Sequence, residues 1–383
     1  MNRQTENLMG PDVAVERESS TTSSNQRRVV LGMSGGVDSS AAAALLIEQG
    51  YEVVGITLKL WPQDCVSRAE DKCCGPQAVT DARSVAHRLG IPYYLIDEAE
   101  DFQKQVIGYF AEEYKAGRTP NPCVMCNEKL KFGTLLTRAR KLGAELVATG
   151  HYARVDQDPS TGRFLLKRGR DLRKDQSYFL FSLKQNQLSH VLFPLGDLTK
   201  SETREVAREC QLKTADKEES MEICFVPDKD YGRFLQQANL VAKHKGDIVD
   251  LQGKKLGEHD GIEFYTIGQR KGLGISSPHP LYVIELDPVN NRVIVGDDLS
   301  LERSEFEVER CNWIPFETPP ASIDALVKIR YNHTGTLATL VPGPNGTARI
   351  RLHTPQRAVT PGQACVFYQD DLVVGGGWIT RGR

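Results

Sequence analysis

The chain has 383 residues, with 48 Lys and Arg, 50 Asp and Glu, and a formal net charge of −2. At about 150 residues per domain this length predicts two or three domains, with a core burying roughly 75% of the surface an unfolded chain exposes. The balanced charge excludes a uniformly basic nucleic-acid binder, so any such site must be a local patch. No apolar run reaches the ~18 residues of a membrane-spanning helix, so no membrane partner is expected.

Residues 1–26 are polar and carry four acids (Glu6, Asp12, Glu16, Glu18) against two bases (Arg3, Arg17). They predict a disordered tail with neither a secretory h-region nor transit-peptide character. Arg28 to Met33 then reads as a buried strand, Asp38 to Gln49 as a helix ending at Gly50, and Glu52 to Lys59 as a second strand. Asp81 to Leu89 reads as a helix, Pro92 to Ile96 as a strand, Asp101 to Lys115 and Lys129 to Leu142 as helices, and Glu145 to Thr149 as a fourth strand. This alternation predicts an α/β domain with a doubly wound, mostly parallel sheet. Residues 153–180 read as a strand pair interrupted by a loop, and Thr203 to Cys210 as a helix. Beyond about Lys243 come short strands between Gly, Asp and Pro turns: Tyr282–Leu286, Arg292–Val295, Leu326–Tyr331 and Ala364–Tyr368. They predict a small central domain and a C-terminal β-barrel. The expected divisions are a tail at 1–26, a catalytic domain at 27–220, a central domain at 221–302 and a barrel at 303–383.

Three clusters carry chemistry. The first is Ser34-Gly35-Gly36-Val37-Asp38-Ser39, between a strand and a helix. Two glycines permit a tight turn and close approach to an anion, two serines add hydroxyls, and the helix N-terminus supplies free N–H groups. Asp38 could hold a phosphate-bridging Mg²⁺. The bland alternative is a plain turn with an Asp or Ser cap. The string is neither G-x-x-x-x-G-K-[ST] nor G-x-G-x-x-G, so neither a P-loop NTPase nor a Rossmann dehydrogenase is indicated.

The second cluster is thiol chemistry. The nine cysteines are Cys65, Cys73, Cys74, Cys123, Cys126, Cys210, Cys224, Cys311 and Cys365. The chain is too long and too sparse in Cys for a disulfide scaffold, so a reducing cytoplasm is expected. Arg118 to Asn127 reads as a proline-stiffened loop presenting Cys123-x-x-Cys126, with Lys129 and Lys131 nearby to favour thiolate. One C-x-x-C lacks the second ligand pair of structural zinc. Cys224, between Ile223 and Phe225, reads equally as a reactive or a buried apolar thiol. Cys73 and Cys74 are adjacent and poorly placed to chelate one ion; Cys210, Cys311 and Cys365 are expected in the core.

The third cluster is basic. Residues 161–175 hold Arg163, Lys167, Arg168, Arg170, Arg173 and Lys174 against Asp171 and Asp175, a local net charge of +4. It reads as a solvated hairpin tip or as a phosphate contact.

These strings carry a resemblance. S-G-G-x-D-S resembles the loop of the ATP-pyrophosphatase family, whose members split ATP into AMP and pyrophosphate while adenylating a substrate oxygen. Arg118 to Cys126 with Asn127, Lys131-Phe132-Gly133, Ala148 to Tyr152, Lys174 to Tyr178, Glu222 to Phe225 and Ile267 to Gly274 together resemble the tRNA-specific 2-thiouridylases. The resemblance covers residues 28–383. It implies an adenine-nucleotide α-hydrolase-like catalytic domain, with Gly32, Met33, Ser34, Gly35, Gly36, Val37, Asp38, Ser39, Leu58 and Gly150 around ATP. It implies Cys126 as nucleophile and Cys224 as persulfide carrier, supplied by a cysteine desulfurase or a relay protein. It implies tRNA or target-base contacts at Asn121, Pro122, Cys123, His151, Lys174, Asp175, Gln176, Arg330, Tyr331 and Gln363. Cys123 departs from the Asp found in many members, so Cys123, Cys126 and Cys224 could alternatively ligate an iron–sulfur cluster. Two other readings remain: another adenylating ligase of the same loop family, for which no glutaminase domain precedes residue 28, and a non-catalytic RNA-binding module.

Overall fold

The computed structural model describes residues 26–60, 75–218, 223–226 and 230–381. The expected tail up to residue 25, Cys65, Cys73, Cys74, Met221 and Glu222 lie outside the described residues.

The first sheet holds β1 (Arg28–Gly32), β2 (Glu52–Lys59), β3 (Tyr93–Asp97) and β4 (Leu146–Thr149). A hairpin of β5 (Ala153–Gln157) and β6 (Phe164–Arg168) intervenes before its fifth strand, β7 (Val191–Leu192). The order is β3-β2-β1-β4-β7, and every pairing within it is parallel. Such strands are covered on both faces, which is why β1 and β4 are continuous apolar runs. Helix α1 (Val37–Glu48) is an Ala-rich segment buried nearly all round. Helix α2 (Pro76–Leu89) starts five residues before the expected Asp81, because Pro76 takes the first helical turn, where its missing N–H has no cost.

Ala99–Phe102, a π turn at Gln103–Ile107 and Gly108–Lys115 form one helical run, α3. Pro122–Cys126, a π segment at Asn127–Thr134 and Leu135–Lys141 form another, α4. Shorter helices follow at α5 (Gln185–Leu188), α6 (Lys200–Glu209) and α7 (Tyr231–Gln237). Thr199 and Glu202 form a reciprocal capping box on α6, so it opens three residues ahead of the expected Thr203.

The central domain is a four-stranded mixed sheet of β8 (Gly246–Val249), β9 (Lys255–His259), β10 (Tyr282–Asp287) and β11 (Arg292–Gly296), ordered β10-β11-β8-β9. The C-terminal part contains β12 (Glu302–Trp313), β13 (Ile323–Lys328), β14 (Thr336–Pro342), β15 (Ala348–Arg357), β16 (Ala364–Gln369) and β17 (Leu372–Ile379). They run β12-β15-β14-β13-β16-β17, and β17 pairs back onto β12. The expected barrel is therefore closed, which removes its free edges. Strand β13 stops at Lys328 rather than Tyr331, because the Arg330 carbonyl accepts the His333 amide in a turn.

The barrel is not an appendage. Hairpin β5–β6 joins its sheet at Leu372 opposite Lys167. One apolar cluster contains Val30 and Ile56 of the parallel sheet, Val124 and Phe132 of α4, Phe181, and Val366 and Trp378 of the barrel. The parallel-sheet domain and the barrel thus share a core rather than a wet interface.

Candidate active site

The strand order of the parallel sheet reverses between β1 and β4. Ligands of doubly wound sheets bind in the crevice at the carboxyl ends of the strands flanking such a switch. The Ser34–Ser39 string follows β1, and Gly150-His151-Tyr152 follows β4.

The loop after β1 is fixed by backbone demands. Gly35 takes φ +69°, and a Cβ there would stand 2.1 Å from the Ala78 carbonyl oxygen. Gly36 is the N-cap of α1 and no side chain caps it, so the first helical amides face the turn. The Ser39 and Ser40 hydroxyls donate to the Gly36 carbonyl at 3.1 and 2.8 Å. From β2, the Thr57 hydroxyl donates to the Met33 carbonyl at 2.7 Å, and the Met33 amide donates to Ile56 at 2.8 Å.

The end of β4 forms the other wall. A Cβ on Gly150 would lie 2.8 Å from the backbone of both Asp38 and Ser39, so this strand end rests on the first turn of α1. His151 is buried between the rings of Phe132 and Phe193 and shares a 2.7 Å hydrogen bond with the Thr149 hydroxyl through Nδ1. Burial, and secondarily the charge of Lys131, holds its pKa well below the usual imidazole value, so it is neutral. The Tyr152 hydroxyl donates to Asp38 Oδ1 at 2.8 Å, and Gln176 clasps the Tyr152 backbone at both its amide and its carbonyl. The Ala148–Tyr152 and Lys174–Tyr178 strings are one unit.

The segment carrying Cys123 and Cys126 is not the expected loop. Pro122 is the first residue of α4, a position that suits its fixed φ, so Cys123 lies on the first helical turn and Cys126 opens the second. Asn121, at the N-cap, and Pro122 are buried. Cys126 packs against an apolar cluster of Phe102, Phe110, Leu130 and Phe225, and so do Leu58, at the end of β2, and Cys224. Phe225 anchors the Cys224 segment by meeting the rings of Phe102 and Phe110 edge-on at 5.8 and 5.1 Å. Two thiols distant in sequence and the residue expected beside adenine thus share one apolar wall. Cys123, Cys126 and Cys224 are partly exposed and not disulfide-bonded. By contrast, burial pushes the Cys311 thiol up to about 12 and Cys365 well above its usual range. Cys210 sits just past α6 rather than within it.

Among the described residues, no group of three or more His, Cys, Asp or Glu side chains is placed to hold a metal ion. Cys123, Cys126 and Cys224 are not brought together as such a group.

The basic segment is largely committed internally. Arg163 donates to the Ile314 carbonyl at 3.0 and 3.1 Å, Lys167 pairs with Asp156, Arg170 pairs with Glu202, and Arg168 lies 3.9 Å over the Tyr368 ring. Arg173 also pairs with Asp171, at 3.6 Å, but 90% of its side chain is exposed. Asp175 is buried and accepts from the Gly169 and Ser177 amides and the Ser177 hydroxyl. Tyr331 packs on Phe179 at 4.5 Å, and neighbouring Arg330 is exposed. Gln363 reaches from the barrel to donate to the Thr119 and Pro120 carbonyls at 3.0 and 3.1 Å. It thus tethers the segment leading into α4.

Family models match along the chain: a tRNA methyl transferase HUP domain at 27–228, a tRNA methyl transferase PRC-barrel domain at 232–297 and an aminomethyltransferase beta-barrel domain at 303–379. The tRNA-specific 2-thiouridylase MnmA of Heliobacterium modesticaldum is 50% identical over 88% of this chain and 88% of its own length. The proteins of the same name from Acidobacterium capsulatum and Moorella thermoacetica are 49% and 51% identical, each over 88% of this chain and 94% of their own. The chain belongs to the tRNA-specific 2-thiouridylase family.

In this family member, the structure brings forward residues that the sequence reading passed over. Lys200 Nζ donates to Asp38 Oδ1 at 2.6 Å, and Lys217 Nζ donates to the Gly35 carbonyl at 3.1 Å while pairing with Asp81. Neither lysine sits in a string with a spacing signal, and only the tertiary fold brings them to the loop. Arg381 likewise donates to Ala116, Gly117 and Leu286 carbonyls through one guanidinium nitrogen.

Proposed function

We propose that this chain is a sulfurtransferase that converts the wobble uridine of tRNA to 2-thiouridine at the expense of ATP. The observation that supports the reading is that the Ser34–Ser39 loop and the Gly150–His151 strand end flank one switch point, while Leu58, at the end of neighbouring β2, shares an apolar wall with Cys126 and Cys224. Gly32 to Ser39 cradle the phosphates, Leu58 lies against adenine, and Gly150 lets backbone approach the nucleotide. Asp38 would hold a Mg²⁺, which would offset phosphate charge.

The uridine leaves its stack to enter the crevice. Its C2 carbonyl oxygen attacks the α-phosphorus, pyrophosphate departs, and an O-adenylated base remains. A cysteine desulfurase or a relay protein charges Cys224 as a persulfide. The terminal sulfur reaches C2 directly, or as hydrosulfide released when the Cys126 thiolate attacks the inner sulfur. The C2–oxygen bond breaks and AMP leaves. Cys126 and Cys224 end as a disulfide that a cellular thiol reduces before the next turnover. Neutral His151 offers a hydrogen bond without adding a charge beside the base.

For tRNA, Asn121, Pro122 and Cys123 line the entry to α4, and Lys174, Arg330 and Tyr331 face the substrate. Asp175, Gln176 and Gln363 act through the backbone they hold. The work divides at about residues 220 and 302, and a reducing cytoplasm suits the reduction of the Cys126–Cys224 disulfide after each turnover.

The test is reconstitution with ATP, Mg²⁺, unmodified tRNA and sulfide, read by nucleoside mass spectrometry. 2-Thiouridine is expected, and its absence overturns the reading. With a protein persulfide donor, Cys126→Ser and Cys224→Ser are each expected to abolish product. With free sulfide, Cys224→Ser retains some.

A further inference from the structure

The proposed chemistry uses two thiols, and α4 carries a third beside them. Cys123 precedes Cys126 by three residues, and the Asn127 amide donates to the carbonyls of Cys123 and Val124, so a helical turn runs through this stretch. Residues three apart on a helix share a face, with Cα atoms about 5 Å apart. A disulfide spans Cα separations of about 4.4–6.8 Å, so this pair is within its reach. Cys126 and Cys224 both pack on the wall of Phe102, Phe110, Leu130 and Phe225.

Packing is a poor reason for a cysteine at 123. A structural thiol is a small buried apolar group, as Cys365 is in the barrel, whereas Cys123 is partly exposed. What singles Cys123 out is its spacing from Cys126. A disulfide between Cys126 and Cys224 lies against the apolar wall, and a reductant from solution must find it beside tRNA and AMP. A thiol one helical turn away has no such search to make. Its effective concentration is set by the helix and exceeds that of any reductant in solution.

We propose that Cys123 is a resolving thiol that resets the enzyme by disulfide exchange within the chain. This rests on the reading that turnover leaves Cys126 and Cys224 as a disulfide. The Cys123 thiolate attacks Cys126 Sγ. A Cys123–Cys126 bond forms and the Cys126–Cys224 bond breaks. The electron pair of the broken bond stays on Cys224 Sγ, which takes up a proton to replace the one Cys123 gave away. One disulfide replaces another, so no electrons enter or leave the chain in this step. Cys224 is again a thiol, ready for the next sulfur. A dithiol reductant then opens the Cys123–Cys126 bond and is itself oxidised to a disulfide.

The test follows the thiols of the whole chain through one turnover. Cys224 is charged by a cysteine desulfurase with cysteine, and small molecules are removed. ATP, Mg²⁺ and unmodified tRNA are then added without oxygen or reductant. Samples are quenched with acidic N-ethylmaleimide, digested with trypsin and read by mass spectrometry, with 2-thiouridine measured alongside. Trypsin leaves Cys123 and Cys126 together in Thr119–Lys129 and Cys224 in Glu218–Lys229. In the wild type the two peptides are expected to be joined at first. Thr119–Lys129 is then expected to close on itself while Glu218–Lys229 becomes alkylated. In Cys123→Ser the joined peptides are expected to persist. Joined peptides that persist in the wild type overturn the proposal and leave the disulfide reading standing. A Cys123–Cys126 bond that forms equally without ATP also overturns the proposal. 2-Thiouridine formed with no disulfide at any time overturns the disulfide reading and the proposal with it. If Cys123→Ser does not fold or makes no 2-thiouridine, the wild-type time course decides. Joined peptides that decay into the closed one support exchange, and a closed peptide with no joined precursor overturns it.

Discussion

Gly35 and His151 show how much of the site is set by single residues. At Gly35 two demands coincide, a left-handed φ of +69° and an Ala78 oxygen only 2.1 Å from where a Cβ would sit. Gly35→Ala therefore meets both a conformational cost and overpacking, together about 2–4 kcal/mol. Gly50 has φ +84° but nothing within 4 Å, so Gly50→Ala isolates the first cost, about 1 kcal/mol. Urea unfolding of the two variants is expected to differ by that margin, and ATP binding is expected to fail only for Gly35→Ala. Equal stability losses would show that the loop gives way to the methyl group. His151 sets a pH dependence. Its folded pKa lies well below its unfolded value of about 6.5, so below that pH the unfolded chain takes up a proton that the folded one refuses. Stability contributed by this site is full above pH ~6.5 and falls by up to about 1.4 kcal/mol per unit beneath it. Burial lowers His259 and His333 in the same direction, so the wild type keeps some pH dependence without His151. Urea midpoints at pH 7.5 and 5.5 are expected to converge partly in His151→Gln. An unchanged gap would mean that another group carries it.

Elements tell a different story, because an element is legible when its own residues decide it. Ala-rich α1 and the apolar strands around it follow from local pattern, and so does the glycine turn between them. The start of α4 does not. The Pro120-Asn121-Pro122 run reads as a breaker, yet Pro122 opens the helix and moves Cys126 from a loop onto a helical turn. Side-chain commitments are harder still. The +4 segment at 161–175 reads as one patch, but Arg163, Lys167, Arg168 and Arg170 face partners as distant in sequence as Ile314 and Tyr368. Lys200 carries no local signal because its partner is 162 residues away. The division within the patch can be measured. Arg173→Ala, at a largely exposed side chain, is expected to weaken tRNA binding and lower the salt-dependence slope by about 1, with no shift in unfolding. Arg163→Ala is expected to do the reverse, costing about 1 kcal/mol by removing its donors to the Ile314 carbonyl, which keeps Gln185 as a partner, and leaving the salt slope alone. If both variants lower the slope equally, the segment does act as one patch.

On the scale of the whole molecule, substrate grip and chemistry belong to different parts, so their coupling depends on how rigidly those parts are joined. Barrel and catalytic domain share an apolar cluster, and Gln363 ties the barrel to the segment entering α4. The central domain has its own separate cluster around Ile248, Val283 and Val293. Arg381, just beyond β17, bridges all three. Its guanidinium nitrogen donates to Leu286 of β10 at 2.7 Å and to Ala116 at 2.9 Å, and Gly117 has no side chain to obstruct it. Arg381→Met keeps most of the apolar stem but leaves these carbonyls without their donor, at about 1–3 kcal/mol for each group that stays buried. Because the barrel and parallel sheet keep their shared core, the loss is expected to fall on the central domain. Hydrogen exchange in β10 and β11 is expected to accelerate by about tenfold or more, while β1 and β4 keep wild-type protection. Thiolation should slow with little change in tRNA affinity, since the barrel and Arg173 are untouched while the segment from Ala116 to Pro122 loses one of its anchors. Uniform acceleration across all three sheets would instead make Arg381 a general stabiliser, and unchanged exchange in β10 would mean that the Leu286 contact contributes nothing to holding the domains together.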